Sequence, residues 1–537
     1  MSKLLVVLSL LLLPGAPPAS GVTVSGNDVF RMDGGQPVNG GTLRVTTLPV
    51  RSLDPHQETG DTTAWLITLT YNTLLRMNQT MDAVEGDLAE SWHQLDALTW
   101  KFRLRPGIRF QNVAPVNGRL LTSADVRYSL ERMMGLHGRR AEFRHSHLFN
   151  GHLAAIETPD ERTVILKTYK PYAPLLAYLA TGWSAIVPRE VVEKYGNLQH
   201  VAVGTGPFIL REHVRGSHLF LEKNPDFFRK GLPRLDRIEM RSSGSLATNL
   251  SAYLAGKFHT MGLAPLMKRT ISEEMPDTKI AVQPGTHIWT LRMPPVLPGK
   301  IPARKPWNDV RVRRAVSLAI DKATLLQLAW GGHGDVQHSP LPVAMEPWAL
   351  TGVRHRHDPG AARRLLTEAG YPDGFATELM TWNAPHMVKP AQVIQDMLGK
   401  AGIRVRLRVL EYAQYYNRAY RHRYDLSLHI INAFVDPGSV LVQNFGPPDQ
   451  AVTYHWPNKE IQSLTMQQNE ILDPVKRRDM IHDIQRRIRE DVPMVFLYTQ
   501  TRFRAIRPDL HMKVYHNTLQ KFQAEEWWID PPGLRAH

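Results

Sequence analysis

His355 and His357 flank Arg356 and form the nearest approach in this sequence to a paired metal ligand. The pair lies in a polar stretch just before a helix cap, with no carboxylate cluster beside it, and reads as an exposed loop. There is no G-x-S-x-G elbow, no H-E-x-x-H helix and no G-x-x-x-x-G-K-[ST] loop. Those spacings would activate a serine, hold a catalytic zinc or cradle a nucleotide. Cysteine is absent, which excludes disulfides, thiolate zinc, iron–sulfur clusters, a cysteine nucleophile and a lipid-modified N-terminal cysteine. A hydrolase needs an activated nucleophile or a metal, so binding without bond making is expected, with no metal and no cofactor.

The 65 Lys and Arg against 50 Asp and Glu give a formal charge of +15. The cations are scattered, however. Arg103, Arg105 and Arg109, like Arg404, Arg406 and Arg408, alternate with apolar residues as on the solvated face of a strand. A phosphate-tracking stripe would cluster them, so no nucleic-acid partner is expected. The 537 residues, 43% hydrophobic, suit about three to four domains with ordinary cores.

Lys3 precedes an almost uninterrupted Leu/Val run over 4–13, then Pro14–Gly15 and the small residues Ala19–Ser20–Gly21. Ten helical residues rise only about 15 Å, half of what a bilayer core requires. The segment 1–21 reads as a secretory signal peptide, with the mature chain starting near Val22. Export without a cysteine anchor indicates the bacterial periplasm, with no lipid anchor.

The elements between are mixed α/β. Residues 41–47 read as a strand, followed by the turn Leu53–Asp54–Pro55. Residues 98–104 place Trp100, Phe102 and Leu104 on one face, and the turn Arg105–Pro106–Gly107 predicts a hairpin with Ile108 and Phe110. Thr122 with Asp125 is a capping box opening a helix to Met134. Asp358 caps a helix with Pro359 in its first turn and Gly370 at its end. A second helix is expected from near Pro390 to Gly402. Ile403, Val405, Leu407 and Val409 then alternate as a half-buried strand, and another strand follows over 424–432. Helix–strand–helix–strand order places ligands at strand ends.

One further set of residues is more specific. Asp87–Leu88–Ala89–Glu90–Ser91–Trp92 runs into Leu98–Thr99–Trp100–Lys101–Phe102–Arg103–Leu104–Arg105–Pro106–Gly107. Leu121–Thr122–Ser123–Ala124–Asp125–Val126, Val203–Gly204–Thr205–Gly206–Pro207–Phe208, Glu222–Lys223–Asn224–Pro225–Asp226–Phe227–Phe228, the block opened by Asn308–Asp309–Val310–Arg311, and Ala369–Gly370–Tyr371–Pro372–Asp373–Gly374–Phe375 follow in order. The series resembles the signatures of the family 5 extracellular solute-binding proteins, the peptide and nickel receptors of ABC importers. That resemblance implies an α/β, two-lobed periplasmic-binding-protein fold (type II, large three-domain variant) with a hinge between lobes. By the same analogy the first lobe comprises 22–60, 200–274 and a C-terminal return over 500–537. An extra domain is inserted over 61–199, and the second lobe covers 275–499.

The implied function is capture of a peptide or peptide-like solute between the lobes by a monomeric receptor, and its delivery to an inner-membrane permease. Implied ligand contacts are Thr59, Gly60 and Asp61 after the first strand, Trp382 and Asn383 at the end of a later one, Tyr412 and Tyr415 after the arginine-alternating strand, and the loop Asn432, Ala433, Phe434 and Asp436. In many peptide-binding members an aspartate in this loop pairs with the ligand's ammonium; aligned on Pro437, Ala433 stands there instead. A buried ammonium left unmatched costs about 3–5 kcal/mol. Either another acid (Asp436, Glu411 or Asp61) compensates, or the ligand is an oligosaccharide, an opine-like conjugate or a metal chelate. Arg418 and Arg421 have the donors for a ligand carboxylate but read as a solvated helix face.

Overall fold

The computed structural model describes residues 36–47, 50, 52–57, 61–138, 142–143, 145–242, 245–295, 306–353, 356–432, 435–448, 450–451, 454–514 and 523–531. The expected signal peptide lies outside them.

Two mixed sheets dominate. The larger runs in the order Lys279–Gln283, Arg502–Ile506, Thr260–Leu263, Thr42–Thr47, Arg237–Ser242, His218–Lys223, Phe208–Val214. Thr42–Thr47 pairs in parallel with both neighbours; Leu43 and Val45 are buried while Arg44 turns out towards Glu239. The second sheet runs Ile403–Leu410, Phe375–Trp382, Leu426–Asn432, His287–Arg292, Met494–Thr499. Its first three strands are parallel and its last two antiparallel to their neighbours. His287–Arg292 and Met494–Thr499 are buried along their whole length, because apolar clusters lie on both faces of the sheet.

The change of sheet comes later than expected. Lys279–Gln283, placed by its position in the second lobe's range 275–499, pairs with Arg502–Ile506 inside the first sheet. A short alternating strand carries no sign of which sheet it joins. The chain then crosses through 284–286 and returns through 500–501. The two crossings run side by side, because the strands before and after them pair antiparallel in both sheets. Gly285 makes that possible: a Cβ there would stand 2.6 Å from the Gln500 carbonyl oxygen and 2.7 Å from Thr499 Cβ.

A four-stranded antiparallel sheet, Ala89–Asp96, Thr99–Leu104, Thr163–Thr168, Leu153–Asp160, fills the chain between Thr42–Thr47 and Phe208–Val214 of the large sheet. Thr99–Leu104 forms its hairpin backwards, with Ala89–Asp96, and not forwards with Ile108 and Phe110. Asp96 sets that turn by accepting the Leu98 N–H at 2.8 Å. Phe102, Val164 and Leu166 belong to one apolar cluster with Leu43, Val45 and Met240 of the large sheet. The inserted sheet and the first lobe therefore share a core.

The helix Ser123–Met133 opens with the expected capping box at Thr122, and Asp358 accepts the Ala361 N–H at the start of Pro359–Glu368. The helix expected from Pro390 begins at Pro385 and runs to Lys400, with Pro390 inside it.

Candidate functional site

Both sheets present the carboxyl ends of their parallel strands at one edge. Five helices start just beyond them. Asp61–Thr70 and Leu246–Leu254 follow Thr42–Thr47 and Arg237–Ser242; Pro385–Lys400, Tyr412–Tyr420 and Pro437–Phe445 follow Phe375–Trp382, Ile403–Leu410 and Leu426–Asn432. Ligands of open α/β sheets bind at such edges, where helix N-termini add positive potential. The crossings at 284–286 and 500–501 leave the sheets at the same end, since His287 faces Asn432 and Ile288 faces Thr499.

Three of the expected aromatic contacts come together. The Trp382 ring meets Tyr412 edge-on at 5.9 Å and Tyr415 at 4.8 Å, with Tyr416 tilted at 5.7 Å. They divide in role. Tyr415 is fully buried, and its hydroxyl reaches Ser427 Oγ at 2.9 Å, the Leu428 carbonyl at 2.7 Å and His429 Nδ1 at 2.9 Å. Burial pushes that phenol well above its ordinary pKa. Tyr415 is thus a core post and not a ligand contact. Tyr412, by contrast, keeps 44% of its surface exposed. Asn383 is also exposed, anchored by its own N–H to the Leu410 carbonyl at 2.8 Å.

Asn432 ends its strand beside His287, whose Nδ1 accepts from Arg502 Nη2 at 2.7 Å. The second crossing is thereby tied to the first. Thr59, Gly60, Ala433 and Phe434 lie outside the described residues. Asp61 opens its helix, and its side chain lies outside them too.

Asp436 does not serve as the substitute acid. Its carboxylate accepts both terminal nitrogens of Arg477 at 2.8 Å and the Gly438 N–H at 2.8 Å, and it is 3% exposed. It caps Pro437–Phe445 and is fully engaged from behind. Glu411 is likewise occupied, capping Tyr412–Tyr420 through the Ala413 and Gln414 N–H groups.

Sequence reasoning missed a seam between the inserted segment and the second lobe. The Ala173 N–H donates to the Asn469 carbonyl at 2.8 Å, and Lys170 pairs with Glu470 at 2.7 Å. Val435 packs against the first lobe's core. No local motif marks these contacts.

Residues 83–451 match the bacterial extracellular solute-binding proteins, family 5 (middle region). The chain belongs to this family. Among curated proteins, the probable D,D-dipeptide-binding periplasmic protein DdpA of Escherichia coli (strain K12) is 24% identical over 489 residues, 88% of this chain and 90% of that one. Among solved structures, DppA from Helicobacter pylori in complex with the peptide STSA superposes with a TM-score of 0.80 at 22% identity, covering 92% of this chain and 99% of that one. AgaA from A. tumefaciens R10 in complex with agropinic acid gives 0.77 at 23% identity, over 91% and 99%. These family 5 likenesses fix the fold as the hinged periplasmic-binding-protein type.

Proposed function

We propose that this chain is a periplasmic receptor that encloses a small solute between its two lobes and passes it, chemically unaltered, to an ABC importer permease in the inner membrane. The observation that carries this reading is the pair of side-by-side crossings between two sheets whose ligand-binding edges lie at the crossing end. Residues 1–21 act as the leader, the mature receptor works as a monomer, and 61–199 is the insertion carried by the first lobe. A solute shut in the cleft loses its water, so its charges need partners there. The exposed Tyr412 ring and the polar Asn383 and Asn432 supply wall and orientation.

The DdpA name and the STSA complex support a peptide or peptide-like solute. A non-peptide solute is favoured by one feature: Ala433 offers no carboxylate to an ammonium, Asp436 is held by Arg477 and Glu411 caps a helix, which leaves Asp61 as the acid that a peptide ammonium would need. The agropinic acid complex of AgaA is a precedent within the fold for such a ligand.

Native mass spectrometry of protein purified without refolding is expected to reveal a co-purifying small molecule. A peptide and opine panel then identifies it by thermal shift, since ligand at 100 times its Kd adds about 2.7 kcal/mol of stability. Failure of every solute to bind, or its conversion by the pure chain, would refute the receptor reading. Ala433→Asp discriminates the ligand classes. A non-peptide solute is expected to bind more weakly against the new charge, whereas tighter peptide binding would restore the peptide reading.

A further inference from the structure

Beside the return crossing, one corner of the large sheet is polar on a face that elsewhere feeds a core. Register puts Gln283, Arg502, Arg504, Thr260 and Gly262 on that face: Arg502 pairs with Gln283, and Arg504 lies between Gly262 and Ala281. The residues that alternate with them, Met261, Leu263, Phe503 and Ala505, fill an apolar cluster on the other side. Deeper along the polar face the sheet returns to the shared core with Val45, Ala281 and Ile506. The polar corner therefore stands at the end from which the crossings leave.

This corner has both room and charge. Gly262 is exposed, and a Cβ there would meet no described residue within 4 Å. A glycine inside a strand marks a place where another group comes close to the backbone. Val45 pairs with Thr260, so Thr47 stands level with Gly262 on the parallel strand. Arg504 is half-buried and reaches Thr260, whose Oγ1 accepts from Nη1 at 3.4 Å. Burial, with the Arg502 charge adding to it, lowers the Arg504 pKa to about 10, so the side chain stays a cation at neutral pH. Arg502 donates to His287 of the first crossing at 2.7 Å. Two like charges beside an open, partly dry sheet face favour an anion over a neutral or cationic occupant.

We infer that this corner is the carboxylate subsite of the cleft: the solute lies over Gly262, and Arg504 takes its carboxylate with forked donors. The inference rests on the receptor reading and narrows its ligand to a carboxylate-bearing solute. The lack of an acid at Ala433 suits the same kind of molecule.

The full-length protein is titrated calorimetrically at constant ionic strength with N-acetyl-Ser-Thr-Ser-Ala as free acid and as amide, and with glutarate, glycerol 3-phosphate and maltose. Acetylation removes the ammonium, so the first two probes differ only in the terminal carboxylate. At least one carboxylate probe is expected to bind, the peptide acid about tenfold or more tighter than its amide. Arg504→Gln should erase that difference. Gly262→Val, which fills the open space, should weaken every probe that binds, and it decides the matter if the arginine variant does not fold. Binding of glycerol 3-phosphate or maltose alone, equal binding of acid and amide, or indifference to both substitutions would overturn the subsite. The molecule that co-purifies should itself carry a carboxylate; a neutral or cationic one would overturn the subsite while upholding the receptor.

Discussion

The turns Leu53–Asp54–Pro55 and Val435–Asp436–Pro437 stand at corresponding places in the two lobes, between an edge-ending strand and the helix that follows. Both aspartates are sealed from behind by an arginine from a distant helix. Arg132 holds Asp54 through contacts of 3.0 and 2.5 Å, and Arg477 holds Asp436 through two of 2.8 Å. Each guanidinium also lies over a ring, Phe143 at 5.2 Å and Trp348 at 5.6 Å. Their surroundings differ. Asp54 shares its arginine with His56 Nδ1 at 2.9 Å inside one core, while Asp436 sits at the seam, next to Val435, which packs against the first lobe's core. The comparison teaches that carboxylates near the cleft can be framework. An acid in the expected loop is a ligand partner only if no arginine already holds it.

Breaking either pair tests the likeness. Arg132→Met and Arg477→Met each leave a buried carboxylate uncompensated and should cost about 3–5 kcal/mol in urea unfolding. Restoring neutrality with Asp436→Leu in the Arg477→Met background should recover much of the loss. A small effect for one arginine alone would show that the two turns are not equivalent.

Acid separates them next. Burial, with Arg132 adding to it, lowers the His56 pKa from 6.5 to about 4, so the folded protein keeps this imidazole neutral. The unfolded chain binds the extra proton first, and stability is therefore lost as pH falls from 6.5 towards 4, by roughly 3 kcal/mol from this group. Burial also raises the Asp54 pKa, but its Arg132 contacts override this and leave it below 3.8, so its own contribution is lost only at lower pH. Unfolding titrations of the native protein and His56→Asn should diverge in the upper window. Parallel curves would remove His56 from the account.

The seam gives the smaller effects. Ala173→Pro deletes the N–H that reaches Asn469 and should cost about 1 kcal/mol, with a larger radius of gyration in X-ray scattering as the lobes part. Lys170→Glu, at an exposed pair, should shift stability by less than about 1 kcal/mol. If neither changes the scattering, the seam does not hold the lobes together.

Much of this was legible. The Thr122–Asp125 box, the Asp358 cap and the arginine alternation over 403–409 are local signals that tertiary packing did not override. Trp382, Tyr412 and Tyr415 were implied by the family resemblance, and they meet because parallel strands end at one edge. The partner of Thr99–Leu104 was not legible, since Arg105–Pro106–Gly107 has better turn residues than the Asp96 turn that forms. The helix expected from near Pro390 starts at Pro385. Pro390 stands in the second turn, where its ring forfeits a bond, so composition alone pointed to the wrong proline. Arg477 was invisible for a different reason: it lies 41 residues from Asp436, and nothing in a D-P dipeptide announces a remote guanidinium.

The shared apolar cluster of the insert and the large sheet has a mechanical consequence. Three sheets make only two moving masses, because the insert cannot swing without tearing that oily weld. Opening is then a single rotation about the strap at Gly285 and Gln500, and it must part the contacts that 170–173 makes with Asn469 and Glu470.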